Sequence, residues 1–401
     1  MQANAASFLC WVRAMDSLYL DNAATTPLAA EVRAAMEPFL GAEFGNPSSR
    51  HPLGVRAEAA LDQARARVAC ALGVWPSGVI FTSGGTEANN LAVLGIARAA
   101  GRLGKHILIG PTEHASVRAP ALQLAEEGFE LEFLRLDAEG SLDLADAERK
   151  LRPDTVLVAQ MLASNELGSV YPLRELARRV RARSPNARIF ADLVQAFGKL
   201  ECSPPELGVD AVSLSAHKIH GPKGAGALVL SGEVPLRPLV FGGDQEGGLR
   251  SGTQNVAGAV GLGVAAELAE RGREATARRL AEVARSFAEA VSEIPGARIL
   301  RLGERTLSPL DSIVPVLLEG APAEVRMHLL EQRGVLVSSA SACQSKSREM
   351  SPAHRAAGLE PDQSRRVLRF SFSRYTTPAE ARRAAQVLAE VSRELDTVAH
   401  G

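Results

Sequence analysis

The sequence lacks an excess of charge of either sign. Its 401 residues include 45 lysines and arginines against 46 aspartates and glutamates, for a net charge of -1. Nucleic acids and anionic membranes attract strongly basic surfaces, so we expect neither as a direct partner. The basic run at residues 174–183 is expected to form the solvated face of a helix.

Long apolar runs are also missing. No stretch approaches the roughly 18 residues that a membrane-spanning helix needs, and the N-terminus does not show the basic, apolar and cleavage regions of a signal peptide. We therefore expect a cytoplasmic protein. Residues 1–14 precede a second methionine, Met15, and are expected to be a disordered extension, either an upstream start or a frayed tail.

Cysteine is scarce, and the cysteines lie far apart. The four, Cys10, Cys70, Cys202 and Cys343, show no CxxC or Cys/His spacing, which excludes a disulfide framework and a zinc site as the expected chemistry. Cys343 stands in the polar stretch SSASACQSKSRE. A structural cysteine normally has apolar neighbours, whereas a reactive one is exposed and close to positive charge.

Short apolar runs alternate with helical patterns between residues 79 and 230. VIFTS, HILIG, LEFLRL, TVLVAQM, RIFADLV, AVSLSA and GALVL predict strands, and ANNLAVLGIARAA and LRELARRVRAR predict helices. Nearly continuous apolar strands separated by helices indicate an α/β fold with a mostly parallel sheet covered on both faces. Ligands bind at the carboxyl ends of the strands in such sheets.

Beyond about residue 255 long helical patterns dominate. SIVPVLLE and VLVSS predict strands on either side of a helix from Pro322 to Arg333. The last helix is predicted to open with Thr377 and Pro378, with Glu380 completing a capping box. This region is predicted to be a second, smaller α+β domain.

Polar residues follow several of the predicted strands. TSGGTEANN, at residues 82–90, opens a helix, and its glycines would let backbone amides approach an anion; a plain strand-to-helix turn is the equal alternative. Asp192 and Gln195 come at the end of RIFADLV. An aspartate there needs a cationic or donor partner, and a helix cap or a buried ion pair is the alternative interpretation.

The stretch SLSAHKIHGPKG is the most specific one. Lys218 ends an apolar strand, after Ser215 and His217, where its ammonium can be desolvated and its pKa lowered. A Schiff-base lysine needs that environment. A surface lysine beside a turn is the alternative, and it suits Lys223 better.

His114, in TEHASV, and Asn165, in SNELG, also follow strands. An anion-binding helix start, an aspartate, a lysine and a histidine are thus expected at one edge of the sheet. This combination predicts a pyridoxal 5'-phosphate site, with the phosphate on a helix N-terminus and the aspartate against the ring nitrogen.

The ordered motifs resemble one family over about residues 19–377. YLDNAATTP, FGNPSSRH, FTSGGTEANN, TEH, NELG, ADLVQAFGK, SLSAHKIHGPKGAGAL, GGDQEGGLRSGTQN, SSASAC and LRFSFSRYTT occur in the order and spacing of the pyridoxal phosphate-dependent cysteine desulfurases. The resemblance is to their first group, the nitrogen-fixation and iron-sulfur type, within the class-V aminotransferases of fold type I. It implies a seven-stranded sheet in a large domain.

The resemblance also implies domain limits. Residues 15–30 would pack with the small domain, residues 31–264 would form the large domain, and residues 265–401 would form the small domain. A catalytic cysteine loop at about 338–352 would belong to the small domain.

The resemblance assigns roles around the cofactor. Lys218 would form the Schiff base, Asp192 would pair with the pyridine nitrogen, Gln195 would bond the ring hydroxyl, and His114 would stack on the ring and move protons. The phosphate would be held by Gly85, Thr86, Ser215, His217 and, from the second subunit of a homodimer, Thr253.

Further roles concern the substrate, L-cysteine. Asn165, which the resemblance also assigns to the cofactor site, and Arg369 would bind its carboxylate, a bidentate task that suits a guanidinium. The freed Lys218 would remove the Cα proton, and the Cys343 thiolate would attack the sulfur. The products would be a Cys343 persulfide and L-alanine.

Some positions depart from the family pattern: Ala340, Gln344, Asp244, Gly247 and Ser373. The protein sulfur acceptor stays open, since iron-sulfur assembly, tRNA thiolation and thiocofactor synthesis all use this chemistry. A selenocysteine lyase or another β-eliminating relative is the first alternative, and a non-catalytic sulfur-transfer scaffold is the second.

Overall fold

The structure is a computed structural model that describes residues 17–300, 309–339 and 350–400, with side chains to residue 397. The predicted extension at residues 1–14, the cysteine Cys343 and the departures Ala340 and Gln344 lie outside the described residues.

Strands and helices alternate along the chain as the sequence patterns predict. The strands are β1 (Leu18–Tyr19), β2 (Val79–Thr82), β3 (His106–Ile109), β4 (Glu130–Phe133), β5 (Thr155–Ala159), β6 (Arg188–Asp192), β7 (Ala211–Ser215), β8 (Gly226–Leu230), β9 (Ala297–Ile299), β10 (Ile313–Leu318), β11 (Val335–Leu336), β12 (Ser338–Ser339) and β13 (Val367–Ser371). The α-helices are α1 (Ala30–Leu40), α2 (Pro52–Leu72), α3 (Gly85–Ala100), α4 (Ala115–Glu126), α5 (Leu144–Lys150), α6 (Leu173–Arg183), α7 (Pro204–Leu207), α8 (Val256–Arg271), α9 (Arg273–Ser292), α10 (Ala323–Gln332), α11 (Pro352–Ala356), α12 (Pro361–Ser364) and α13 (Pro378–His400).

A seven-stranded sheet forms the large layer, in the order β2-β8-β7-β6-β5-β3-β4. Strands β7, β6, β5, β3 and β4 run parallel, and only β8 is antiparallel to its two neighbours. Side chains of alternate residues lie on opposite faces of the sheet, each of which packs into its own hydrophobic core. Leu108 belongs to one core, and Ile107 and Ile109 belong to the other. The predicted, mostly parallel sheet is confirmed, and its parallel strands bring their carboxyl ends to one edge.

A smaller antiparallel sheet, β12-β13-β10-β9, packs with α9 and α13. Its core is centred on Phe287, whose ring lies 4.6 Å from that of Phe370 and 5.5 Å from that of Phe372, measured between centroids. The predicted capping box starts α13. Thr377 N–H donates to Glu380 Oε2 at 2.7 Å, and Glu380 N–H donates to Thr377 Oγ1 at 3.2 Å.

The two cores meet at the N-terminal segment and at Gly272. Strand β1 pairs in parallel with β11, and Leu20 belongs to the small core while Ala23 and Ala29 belong to the large one. Helix α8 lies in the large core as far as Ala269, so the division predicted after residue 264 falls inside this helix. Gly272, between α8 and α9, stands where the packing changes from one core to the other.

Among the described residues, no helix is both long and apolar enough to cross a membrane. That part of the chain also contains no group of three or more His, Cys, Asp or Glu side chains placed to hold a metal ion.

Candidate active site

A cavity of about 290 Å³ opens at the carboxyl edge of the large sheet. Ten of the residues predicted from the sequence line it together: Gly85, Thr86, His114, Asn165, Asp192, Gln195, Ser215, His217, Lys218 and Arg369. Thr253 is not among its lining residues; it lines a separate cavity of about 250 Å³. Thr253 is predicted to hold the phosphate in the site of the second subunit. The structure contains one chain, so that assignment stays a prediction.

Lys218 reaches the cavity because β7 ends in a 3-10 turn, Ala216–Lys218. Its Nζ donates to the carbonyl oxygens of Ala23, at 2.5 Å, and Ala24, at 2.8 Å. The N-terminal segment is tied to the same turn, since Thr26 N–H donates to His217 O at 2.9 Å. Two residues far away in sequence, Ala23 and Ala24, therefore help to position the lysine through their backbone carbonyls.

Asp192 ends β6 with its carboxylate fixed by two donors. Val194 N–H donates to Oδ1 at 2.8 Å, and Asn89 Nδ2 donates to Oδ2 at 2.8 Å. The side chain is buried. Gln195 follows in the same turn, and its Nε2 donates to Ala23 O at 3.0 Å. The carboxylate is thus held in one orientation at the cavity wall.

Asn89 and Ser116, which the sequence reasoning missed, connect Asp192 to His114. Asn89 Nδ2 also donates to Ser116 Oγ at 2.8 Å, and that oxygen lies 2.7 Å from His114 Nδ1. Asn89 follows Gly85 by four residues on α3, and this spacing places both residues on one face of the helix. The spacing could have predicted that Asn89 lies at the cofactor site.

The protonation of His114 follows from its partners. Ser116 N–H donates to Nδ1 at 3.1 Å, so Nδ1 acts as an acceptor and the neutral ring carries its proton on Nε2. Burial lowers the pKa of His114; Lys218 lowers it further, and Asp192 opposes both. Burial with the nearby Lys218 and Lys223 likewise lowers the pKa of His217, to about 4. Both rings are therefore neutral near pH 7.

The start of α3 provides a place for an anion. Gly85 is its first residue, and a Cβ there would lie 2.9 Å from Val194 Cγ2 and 3.4 Å from Ser215 Cβ. Glycine therefore lets the backbone come this close to the turn after β6 and to the end of β7. The helix N-terminus offers unpaired N–H groups and a favourable dipole to a phosphate beside Ser215 and His217.

Arg369, on β13, brings the small domain into the site. Its Nη1 donates to Asn165 O at 3.0 Å, and its Nη2 donates to Asp21 Oδ1 at 2.9 Å. The side chain is only 3% exposed, and its Nε has no partner among the described residues. Asp21, in YLDNAATTP, is a third residue that the sequence reasoning missed. It holds the guanidinium at the cavity wall.

The described departures from the family pattern lie away from Asp192 and His114. Asp244 and Gly247 line an outer cavity of about 520 Å³, next to the ion pair in which the half-buried Arg65 contacts the buried Glu246 at 2.8 Å. Ser373 lines a small cavity that Lys218 also borders.

Glu113 is an unexpected buried acid next to the site. Its Oε1 accepts the N–H of Met161, and its Oε2 has no partner among the described residues. Burial, and then the charge of Asp192, raise the pKa of Glu113 to about 8. Glu113 is therefore a neutral acid near pH 7.

Glu113→Gln is expected to flatten the pH dependence of stability. In the folded protein the pKa is about 8, against about 4.3 when unfolded. Stability from this group is thus complete below pH 4 and is lost as the pH rises toward 8, by roughly 3 kcal/mol between pH 5.5 and 8. Melting temperatures across this range measure it. The exposed Glu126→Gln is the control, and parallel curves for all three proteins would contradict the assignment.

Comparison with known proteins places the fold and the site in one family. The model of the aminotransferase class-V family matches residues 18–383. The chain belongs to the class-V aminotransferases. Within this family, the chain is 39% identical to the cysteine desulfurase IscS of Dictyoglomus turgidum, over 95% of this chain and 96% of the relative. It is 40% identical to cysteine desulfurase 2 of Trichormus variabilis, over 96% and 95%.

Solved structures of similar proteins agree with the architecture. A NifS-like protein, 32% identical, superposes with a TM-score of 0.88 over 94% of this chain and 100% of its own. SspA in complex with cysteine, also 32% identical, has a TM-score of 0.78 over 90% and 99%. The predicted fold-type I architecture and the predicted resemblance to cysteine desulfurases are confirmed.

Proposed function

We propose that this protein is a pyridoxal phosphate-dependent cysteine desulfurase, which takes sulfur from L-cysteine and leaves L-alanine. The observation that carries the proposal is the meeting of Lys218, Asp192, His114 and Arg369 around one cavity. A catalytic amine, an aspartate for a ring nitrogen, a neutral imidazole and a guanidinium for a carboxylate are the groups that this reaction requires.

The residues present fit pyridoxal phosphate. At Gly85 a Cβ would come within 2.9 Å of Val194 Cγ2, so glycine lets the start of α3 lie against the cavity wall, where Thr86, Ser215 and His217 would hold the phosphate. Asp192 would hold the pyridine nitrogen, and Gln195 would hold the ring hydroxyl. When bound, the cofactor supplies an electron sink for the charge that develops at the substrate Cα.

Three residues of the chain have separate roles in the proposed reaction. Arg369 binds the substrate carboxylate with paired N–H donors. Lys218 Nζ takes the Cα proton as a neutral amine, close to the carbonyls of Ala23 and Ala24 that position it. The His114 Nε2–H offers a proton on the cavity side, because Nδ1 accepts from Ser116.

Cys343 completes the proposed chemistry. Its thiolate bonds to the substrate sulfur while the Cβ–S bond breaks, so the thiol sulfur becomes a persulfide and the electron pair stays on Cβ, where a proton joins it to give alanine. Cys343 lies outside the described residues, but both neighbouring segments contact the site. Ser338 pairs with Arg369 across β12 and β13, and Ser351 Oγ donates at 2.5 Å to Glu166, next to Asn165.

The test of the function measures products from two substrates. Purified protein supplied with pyridoxal phosphate and a thiol reductant should release alanine and sulfide from L-cysteine in equal amounts. The same assay with L-selenocysteine examines the alternative of a selenocysteine lyase. Turnover of selenocysteine alone would reject the desulfurase, and no turnover with a full complement of cofactor would favour the non-catalytic scaffold.

The proposal includes the oligomeric state of the protein, its location in the cell and its sulfur acceptor. A homodimer is supported by large apolar side chains that one chain leaves exposed, among them Phe44 at 75% and Phe241 at 81%. Thr253 would then complete the phosphate site of the second subunit. We place the protein in the cytoplasm, where a protein acceptor takes the sulfur for uses such as iron-sulfur cluster assembly or tRNA thiolation.

Arg369→Lys is expected to weaken substrate binding. Lysine keeps the charge but cannot donate in parallel to a carboxylate while also contacting Asp21 and Asn165. We expect kcat/KM for L-cysteine to fall by about 10- to 100-fold, mainly through KM. Arg366→Lys, beside the same strand, is the matched control. An unchanged KM in Arg369→Lys would remove this arginine from the carboxylate site.

A further inference from the structure

A second cavity, of about 20 Å³, borders Lys218. It shares Ala23, Gln195 and Lys218 with the large cavity. A volume of about 10 to 15 Å³ suffices for one water molecule when polar groups surround it. Hydroxyl, amide, imidazole and ammonium groups line this cavity, and no Asp or Glu of the described chain does. The cavity therefore has the size and the chemistry of a site for one water.

Lys199 places a second ammonium at this cavity. Its Nζ donates to Gln195 O at 2.7 Å, while an ammonium has three protons to donate. The side chain is partly exposed along its length, but burial of the ammonium, followed by the charge of Lys218, lowers the pKa of Lys199 to about 8. Lys199 is thus mostly charged near pH 7 and interacts electrostatically with Lys218.

Ser312 supplies an independent sign of a bound molecule. Its hydroxyl is buried, with the residue 2% exposed, and has no hydrogen-bond partner among the described residues. Ser312 lines the same cavity as Lys199. Buried hydroxyls are rarely left without a partner, and one water here would satisfy both groups.

We propose that this cavity holds one water joining Lys199 to Ser312, and that Lys199 is a positioning residue whose charge favours the neutral, proton-accepting form of Lys218. The inference rests on the proposed function, because it concerns how Lys218 becomes a base. A second positive charge beside Lys218 is disfavoured in a site with little solvent, so the charge of Lys199 promotes loss of the proton from Lys218.

Three further charged groups lie near Cys202 and Lys199: Glu270 and Arg273 pair with each other at 3.0 Å, and Glu201 is exposed, so solvent screens its charge. Cys202, on the same loop, carries a thiol whose pKa is raised by burial, so it is neutral. His220 lines the cavity, and burial lowers its pKa to about 4, with Arg374 and Lys199 contributing. Lys199 is therefore the group at this cavity that remains charged beside Lys218 near pH 7.

The experiment follows cofactor capture by the apoprotein, because only a neutral Lys218 amine can attack the aldehyde. Wild type, Lys199→Met and Lys199→Arg are stripped of cofactor and mixed with pyridoxal phosphate across neutral and alkaline pH. The rate is read from the visible absorbance. We expect the midpoint of the pH profile to move upward by on the order of one unit in Lys199→Met and to stay near wild type in Lys199→Arg.

The outcomes separate the two proposals. An unchanged midpoint in Lys199→Met, or an equal shift in Lys199→Arg, overturns the role of Lys199. A wild-type apoprotein that captures no cofactor overturns the proposed function, and this inference with it. Thermal melting shows whether each variant is folded. A high-resolution crystal structure should show one water within hydrogen-bond distance of Lys199 Nζ and Ser312 Oγ, and an empty cavity overturns the water site.

Discussion

Lys218→Ala should abolish the desulfurase reaction. The variant loses the amine that bonds the cofactor and the base that takes the Cα proton, both from one side chain. General-base catalysis alone contributes roughly 10²- to 10⁴-fold, and loss of covalent attachment adds to this. We expect alanine formation from L-cysteine to fall by at least this factor. Amino acid analysis of the product and absorbance of the bound cofactor measure the two losses separately.

Lys223→Ala is the matched control for Lys218→Ala. Lys223 is exposed and lies five residues further along the same loop. Its removal should leave most of the activity, which excludes a general effect of losing a lysine there. Addition of a small primary amine should restore part of the activity to Lys218→Ala, which an unfolded variant would not show. Alanine formation close to wild type in Lys218→Ala would reject the catalytic role.

Cys343→Ser should stop sulfur transfer while leaving the cofactor site intact. A serine hydroxyl is far less nucleophilic than a thiolate, so no persulfide can form at this position. We expect alanine formation from L-cysteine to fall by a factor comparable to that for Lys218→Ala, with cofactor absorbance unchanged. Mass spectrometry of the intact protein after cysteine addition should show one added sulfur in wild type and none in the variant.

Cys70→Ser is the control for Cys343→Ser, because Cys70 is an exposed free thiol on α2. It tests whether any accessible cysteine can carry the sulfur. The Cys70 variant should form the persulfide and turn over cysteine as wild type does. Cysteine turnover that survives the loss of Cys343 would reject the persulfide mechanism and favour a direct β-eliminating enzyme.

Local patterns predicted the secondary structure and most of the residues that line the large cavity. The seven apolar runs between residues 79 and 230 became the seven strands of the large sheet, since period and side-chain type act over a few residues. Lys218, Asp192 and His114 were found because each follows such a strand, and parallel strands bring their ends to one edge.

The tertiary structure decided which distant groups support those residues. Ala23 and Ala24 hold Lys218 through their backbone carbonyls. Every residue has a backbone carbonyl, so the amino-acid type does not reveal such a contact. Asp21 reaches Arg369 across 348 positions of sequence. Such partners depend on how the N-terminal segment crosses between the two cores. Local sequence patterns do not predict the course of that segment.

The sequence by itself determined the strands of the large sheet and the family, because these depend on side-chain type and on the order of the motifs, and it predicted the cofactor and the catalytic residues. The protonation states were decided only by the fold. Asn89, Ser116, Glu113 and Lys199 look like ordinary polar residues in the chain, and the structure encloses them beside Asp192, His114 and Lys218. Burial and the distance between charges set the pKa of such groups, and both quantities exist only in the folded protein.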